Sequence, residues 1–175
     1  GYSGVRLALA NKIIQFINKD ILPLIPEKGS VGASGDLAPL GHMALSLIGE
    51  GKVFYKGKKY DSKIALKEAK VKPLVLGPKE GISLINGTQV STALAIKGCL
   101  NGERLLKTAD IAGALSVENS FSSRKVFRLE VHIIKKHKGQ LSSAKNVYKM
   151  LNGSEIVRSH SNCGRVQDPY SFRCI

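Results

Sequence analysis

The sequence predicts a mainly α-helical protein carrying one small β-hairpin near residues 53–60. Three observations support this fold class. Apolar residues recur at helical spacing over residues 5–17 and again over 37–48. Residues 90–115 are apolar most of the way round a helix, interrupted only by Lys97, Glu103, Arg104, Lys107 and Asp110. Strand-like composition is confined to Val53-Phe54-Tyr55 and Tyr60, on either side of a Lys56-Gly57-Lys58 turn.

In chain order, Ser3 is placed to cap a first helix whose apolar face is Val5, Leu9, Ile13, Phe16 and Ile17, with Pro23 and Pro26 ending it. A second helix begins after Asp36, a good N-cap residue, with Pro39 in the first turn, where a missing N–H costs little. Leu37, Leu40, Ala44, Leu47 and Ile48 give its apolar stripe, and Gly49 and Gly51 stop it. After the hairpin, Asp61 or Ser62 caps a short helix through Ala69, and Pro73 and Pro78 punctuate the chain from there to Gly81. This lysine-rich portion reads as a surface excursion without chemistry.

From Gly81 a helical tendency breaks at Asn86-Gly87, and Thr88 or a neighbour caps a long helix to about Asn119. Its apolar circumference predicts a place inside a helix bundle, and Gly102 and Gly113 suit close helix contacts. Ser142 or Ser143 then caps a helix through Leu151, with Ala144, Val147, Tyr148 and Leu151 on one face and Asn152-Gly153 as its stop.

Composition narrows the function classes. Twenty-seven basic against 13 acidic side chains give a net charge of +14, which by itself would attract nucleic acid or an anionic surface. Neither basic cluster, Lys56-Lys58-Lys59-Lys63 or Lys135-Lys136-His137-Lys138, carries an RNA-binding aromatic signature or a helix-turn-helix pattern. Solvated lysines are therefore the reading, and nucleic acid is not an expected partner. No apolar run is long enough to span a bilayer and no signal-peptide pattern is present. Cys99, Cys163 and Cys174 form no CxxC and leave one thiol unpaired by arithmetic, which suits a reduced cytoplasm. The glycosylation-like triplets at Asn86 and Asn152 therefore read as accidental. His132 and His137 lack a carboxylate or Cys at ligand spacing, so no metal site is expected.

The chemistry-bearing stretch is Ala33-Ser34-Gly35, in a Gly-permitted loop at the positive end of the second helix's dipole. In a loop bent hard enough, the Gly35 amide nitrogen can attack the Ala33 carbonyl carbon and close a five-membered ring. Loss of water from the ring, and of the Ser34 hydroxyl as a second water, leaves an exocyclic methylidene. The product is a strong electrophile, which no ordinary side chain supplies. Elsewhere, Asn86 stands at a helix interruption, where it is either a turn residue of the common Asn-Gly kind or an amide directed at a site. Residues 166–174 place an amide, a phenol and a guanidinium around one proline, which argues for a fixed loop.

Gly29-Ser30-Val31-Gly32-Ala33-Ser34-Gly35-Asp36-Leu37-Ala38-Pro39-Leu40 resembles the signature of the aromatic amino acid ammonia-lyases, and a match of that length is very specific. Gly1-Tyr2-Ser3-Gly4-Val5-Arg6, Leu84-Ile85-Asn86-Gly87-Thr88-Gln89, Leu115-Ser116-Val117-Glu118 and residues 131–140 are also similar to family segments. So is Val166-Gln167-Asp168-Pro169-Tyr170-Ser171-Phe172-Arg173-Cys174, with Phe172 where the family usually has Leu and Ile175 where it continues with Gln. The resemblance covers nearly the whole chain.

The resemblance implies the helical-bundle part of the lyase fold, which is similar to that of fumarase and aspartase. Residues 1–175 are then a single partial domain, the central segment of a longer enzyme. The family's catalytic Tyr and substrate-reading His, and a later Glu and Phe, have no counterpart here. It implies removal of ammonia from an α-amino acid by a 4-methylideneimidazole-5-one (MIO) group formed from Ala33, Ser34 and Gly35, without metal or dissociable cofactor. Asn86 and Tyr170 join the triplet as catalytic residues. Asn86, Gln167, Tyr170 and Arg173 bind substrate, with Arg173 on the carboxylate unless it merely pairs with Asp168 to stabilise the loop. Val31-Gly32, His42-Met43 and residues 167–171 look more like the branch acting on histidine, which implies trans-urocanate as product. A tyrosine or phenylalanine lyase or aminomutase is the alternative, and an inactive basic binding module a remote one. A homotetramer is implied for the whole enzyme.

Overall fold

The computed structural model describes residues 3–33 and 36–175, so Ser34 and Gly35, at the centre of the expected reactive triplet, lie outside the described residues. The chain packs as two units, Gly1–Ile96 and Lys97–Ile175. The sequence expectation drew a single partial domain over the same span. Each unit has its own apolar cluster.

The first unit contains α1 (Leu7–Asn18), β1 (Leu22–Pro23), α2 (Ala38–Leu47), β2 (Lys52–Tyr55), β3 (Lys58–Asp61), α3 (Ser62–Glu68) and α4 (Glu80–Ile85). Helix α1 buries Leu9 and Phe16 and packs Val5 and Ile13 beside them, as its spacing predicts. Ile17 departs from the expectation and is exposed. Ser3 does not cap this helix: Arg6 occupies the N-cap, without a side-chain cap bond. The stop also comes early. Asp20 takes a left-handed conformation at φ 51°, and the amide of Ile21 returns to the Phe16 carbonyl at 2.9 Å. The chain has turned before Pro23 is reached.

The hairpin forms where the alternation places it, with Val53 opposite Tyr60 and positive φ at both Lys56 and Gly57, the twist that a two-residue turn needs. It is one strand larger than expected, because Leu22 pairs with Phe54 and makes a three-stranded antiparallel sheet, β1-β2-β3. A two-residue strand containing proline leaves almost no sequence signal. The basic portion is more than a surface excursion. Val53, Ala65 and Leu66 are fully buried with Ile21 and Leu47, beside the nearly buried Leu74, and each large side chain so removed from water contributes about 1.5–3 kcal/mol. Ser62, also fully buried, donates to the Ser46 carbonyl at 2.8 Å instead of capping α3.

Helix α5 (Gln89–Asn119) has the expected bounds and runs through the boundary between the units. Its predicted burial is not met within this chain. Only Gly113, Ala114 and Val117 are buried, while Leu94, Ile96, Leu100, Leu105, Leu106, Ile111 and Leu115 are each more than half exposed. Periodicity reports that a helix wants covering on all sides; it does not say what covers it. Of the two helix glycines, Gly113 permits a close approach, since a Cβ there would overlap Ile175, whereas Gly102 faces open space.

The second unit continues with a 3₁₀ turn (Arg124–Phe127), α6 (Leu129–Ile133), α7 (Lys138–Met150), α8 (Glu155–Ser159) and a last 3₁₀ turn (Tyr170–Arg173). Ala114, Val117, Phe127, Val147 and Leu151 form its core. Helix α7 starts earlier than predicted, at Lys138, so Ser142 and Ser143 lie inside it. Its apolar face is as expected, and Gly153 takes φ 81° just past its end. His132 is held between the Val126 carbonyl and the Gln140 amide, each at 2.9 Å. A neutral ring protonated on Nε2 satisfies both contacts and leaves no lone pair for a ligand role. Among the described residues no helix is long and apolar enough to cross a membrane. The three cysteines are free and exposed.

Candidate functional site

Two loops of the first unit bound one cavity of about 470 Å³. Gly32, Ala33 and Asp36 come from the loop before α2, and Asn86, Gly87 and Thr88 from the connection between α4 and α5. Pro39 and Leu40, in the first turn of α2, and Val90 and Ser91, in the first turn of α5, complete much of the wall. Two helices thus present their N-terminal turns, with unpaired N–H groups and positive dipole ends, to the same space. Such a place favours an anion and draws electron density from a neighbouring group.

Asp36 holds this loop differently from the sequence expectation. It is not the N-cap of α2; Leu37 occupies that position, without a side-chain cap bond. The Asp36 carboxylate instead accepts from the Ser30 hydroxyl and from the Gly32 amide. The Ser30 bond, aided by the amides of Val31 and Gly32, holds the Asp36 carboxyl below the usual carboxylate range. Its own amide donates to the Ala33 carbonyl at 3.2 Å. The chain entering Ser34–Gly35 and the chain leaving it are therefore drawn together, and the Ala33 carbonyl is polarised by an N–H donor. Both features suit ring closure at that carbonyl, so the described residues around the triplet fit the MIO group.

Asn86 is the C-cap of α4 in an extended conformation (φ −98°, ψ 91°), at the helix interruption that the sequence indicates. The helix that it ends is fastened at its start by a clamp that sequence reading missed. Glu80, at the start of α4 and 1% exposed, accepts from the Arg6 amide and Nε at 3.0 and 2.9 Å, from an Arg6 terminal nitrogen at 2.6 Å and from the Gly77 amide at 2.6 Å. The Arg6 side-chain bonds, then the Gly77 amide, hold Glu80 down at about 2, against the opposing effect of burial. Partners 74 residues apart leave no local pattern from which to find the pair.

The clamp gives a pH prediction. A carboxylate with a depressed folded-state pKa stabilises fully above its ordinary value of 4.5, and that stabilisation is lost as pH falls toward about 2. Urea midpoints should therefore fall between pH 5 and pH 2 more steeply for the natural chain than for Glu80→Gln, which should already be destabilised at pH 7. Parallel pH profiles for the two chains would contradict this assignment.

In the second unit, Gln167, Tyr170 and Arg173 lie on one exposed loop that ends in the last 3₁₀ turn. Arg173 sits 5.7 Å from the Tyr170 ring centroid, so these two side chains are brought together. Asp168 does not pair with Arg173. It accepts from the Ser123 amide at 2.7 Å and faces Arg165 at 3.7 Å. Among the described residues Arg173 has no ion-pair partner, which leaves its guanidinium available. Phe172 packs against the core of Val117, Phe127 and Val147, a place where the larger ring is useful.

A family model described as aromatic amino acid lyase matches residues 1–175. The histidine ammonia-lyase of Photorhabdus laumondii is 50% identical over 175 residues, covering 99% of this chain and 34% of that protein. Among solved structures, histidine ammonia-lyase from Trypanosoma cruzi superposes with a TM-score of 0.84 at 34% identity, over 98% of this chain and 31% of that one. Pantoea agglomerans phenylalanine aminomutase gives a TM-score of 0.85 at 32% identity, over 98% and 36%. The chain spans about a third of the length of the curated relatives it matches.

Proposed function

The chain belongs to the aromatic amino acid lyases, and we propose that it is the central, electrophile-bearing part of a histidine ammonia-lyase. The reaction is the non-oxidative conversion of L-histidine to trans-urocanate and ammonia. The observation that carries this reading is the cavity shared by Ala33 and Asn86 between two helix N-termini, with Ser30, Gly32, Ala33, Asp36, Pro39 and Leu40 of the twelve-residue signature lining it.

The difficulty of the reaction is that the β-proton is barely acidic and ammonia leaves poorly. MIO, made from Ala33, Ser34 and Gly35, would supply an electrophile toward the substrate's amine or ring, so that charge in the transition state is better accommodated. The N-terminal turns of α2 and α5 raise the electron demand of whatever occupies the cavity. Asn86 holds the substrate or the ring oxygen with its amide. Arg173 grips the substrate carboxylate through two parallel hydrogen bonds, which fix direction as well as charge. Gln167 and Tyr170 line the substrate pocket, the Tyr170 hydroxyl orienting the reacting groups.

Histidine is favoured over phenylalanine or tyrosine by the names of curated relatives 47% to 50% identical to the chain, which are histidine ammonia-lyases. Among solved structures a histidine enzyme and the aminomutase are similar in identity, at 34% and 32%. The fold does not discriminate, since both classes superpose equally well. A tyrosine or phenylalanine lyase or aminomutase is thus the second reading. A homotetramer in the cytoplasm is the proposed state of the complete enzyme. Purified complete enzyme should release ammonia from L-histidine with a new absorbance from urocanate, and preference for tyrosine or phenylalanine would favour the second reading. The 175-residue chain alone should be inactive, because the base-bearing region is not among its residues and α5 exposes its apolar side chains. Urocanate production by the isolated chain would overturn that part of the proposal.

A further inference from the structure

The loop that carries Gln167, Tyr170 and Arg173 is fastened at two points, and neither is one of those three residues. Asp168 is one: its side chain is 10% exposed, and its Oδ2 accepts the Ser123 amide at 2.7 Å. Phe172 is the other, packed into the core of the second unit. We propose that Asp168 is a positioning residue for substrate binding, acting through the loop; the proposal rests on the reading of Arg173 and its neighbours as substrate contacts.

The post to which Asp168 ties is itself held in place. The Ser122 amide donates to the Val117 carbonyl and the Phe121 amide to the Glu118 carbonyl, each at 3.0 Å, closing the end of α5. The Phe121 ring lies 4.6 Å from that of His160, and the Ser123 hydroxyl accepts from the Lys125 amide at 3.2 Å. The Ser123 N–H therefore points from a fixed backbone. An ionised acceptor makes a bond to such a donor about twice as strong as a neutral one does. Arg165 lies on the other carboxylate oxygen at 3.7 Å.

The last 3₁₀ turn converts this tie into an orientation. With three residues per turn, side chains three apart eclipse, so Tyr170 and Arg173 share one side. Phe172, between them, packs against the core of the second unit. The Phe172 amide closes the turn on the Pro169 carbonyl at 3.2 Å. Asp168 immediately precedes Pro169, whose ring removes one degree of freedom, so the height and rotation of the turn depend on where the Asp168 carboxylate is held. Tyr170 is then 70% exposed and Arg173 exposed beside it, while the residue that aims them is nearly covered.

The test uses the complete enzyme containing this chain, with Asp168→Ala and Asp168→Asn. Loss of the acceptor should raise KM for the amino acid by about tenfold or more with a smaller change in kcat. The Asn variant, whose amide oxygen still accepts from Ser123, should stay within about threefold of the natural enzyme. Amide exchange at Phe172 and Cys174 should quicken in Asp168→Ala, while the Leu151 amide, bonded to Val147 in the core, should not change. The mass deficit from ring formation should persist in both variants. An unchanged KM in Asp168→Ala, Asn as impaired as Ala, or equal quickening at Leu151 would each overturn the positioning role. Natural enzyme without ammonia release from any aromatic amino acid would instead overturn the lyase reading, and the exchange measurement would still decide whether Asp168 anchors the loop.

Discussion

Ser34→Ala is expected to lower ammonia release by the complete enzyme by about a thousandfold or more, with helical content and melting temperature unchanged. The substitution removes one oxygen and nothing that packs, but the methylidene carbon can come only from Ser34. The same chemistry has a signature independent of turnover. Ring closure expels two waters, so the natural enzyme should be about 36 Da lighter than its sequence, and Ser34→Ala should lack the part of that loss that comes from the hydroxyl. An active natural enzyme at its full sequence mass would overturn the MIO assignment. The surroundings support the chemistry from both sides: the Asp36 amide donates to the Ala33 carbonyl, and its carboxylate ties down Ser30 and Gly32.

Arg173→Lys carries the second large effect, an expected fall in kcat/KM of about a hundredfold with little change in melting temperature. Lysine keeps the charge and loses the planar fork, so the substrate would still be attracted but no longer aligned with the electrophile. The competing role, a loop-stabilising pair with Asp168, predicts the reverse: lost stability or assembly with normal kinetics in what survives. The structure weighs against that alternative, since Asp168 is engaged by the Ser123 amide and Arg165. Normal kinetics together with normal stability would dispose of both roles.

Local physics made much of the chain legible. The stripe of α1 apart from Ile17, that of α2, the Lys56-Gly57 turn, the interruption at Asn86 and the apolar face of α7 all arise from short-range periodicity or backbone preference, and each lies where its residues indicate. The departures share a cause as well. Asp36, Ser62 and Ser142 are good cap residues by type, but each had another role open to it: a hydroxyl and an amide within its own loop for Asp36, a buried carbonyl for Ser62, a place inside a longer helix for Ser142. Propensity ranks what a residue can do, and packing chooses among the options.

The proposed electrophile-forming triplet, Asn86 and the loop bearing Arg173 were singled out from sequence alone, because the chemistry proposed for them depends on which atoms occur in which order. Tertiary structure decided how those atoms are held. The Glu80 clamp on Arg6, the tie from Asp168 to Ser123 and the strand added by Leu22 join residues 74, 45 and 32 positions apart. The uncovered sides of α5 belong with them: its sequence states the need for apolar contact, and only packing shows which faces this chain meets. Contacts across such separations depend on the entropy of closing loops and on the shape of a finished core, and neither is written in any local window of residues.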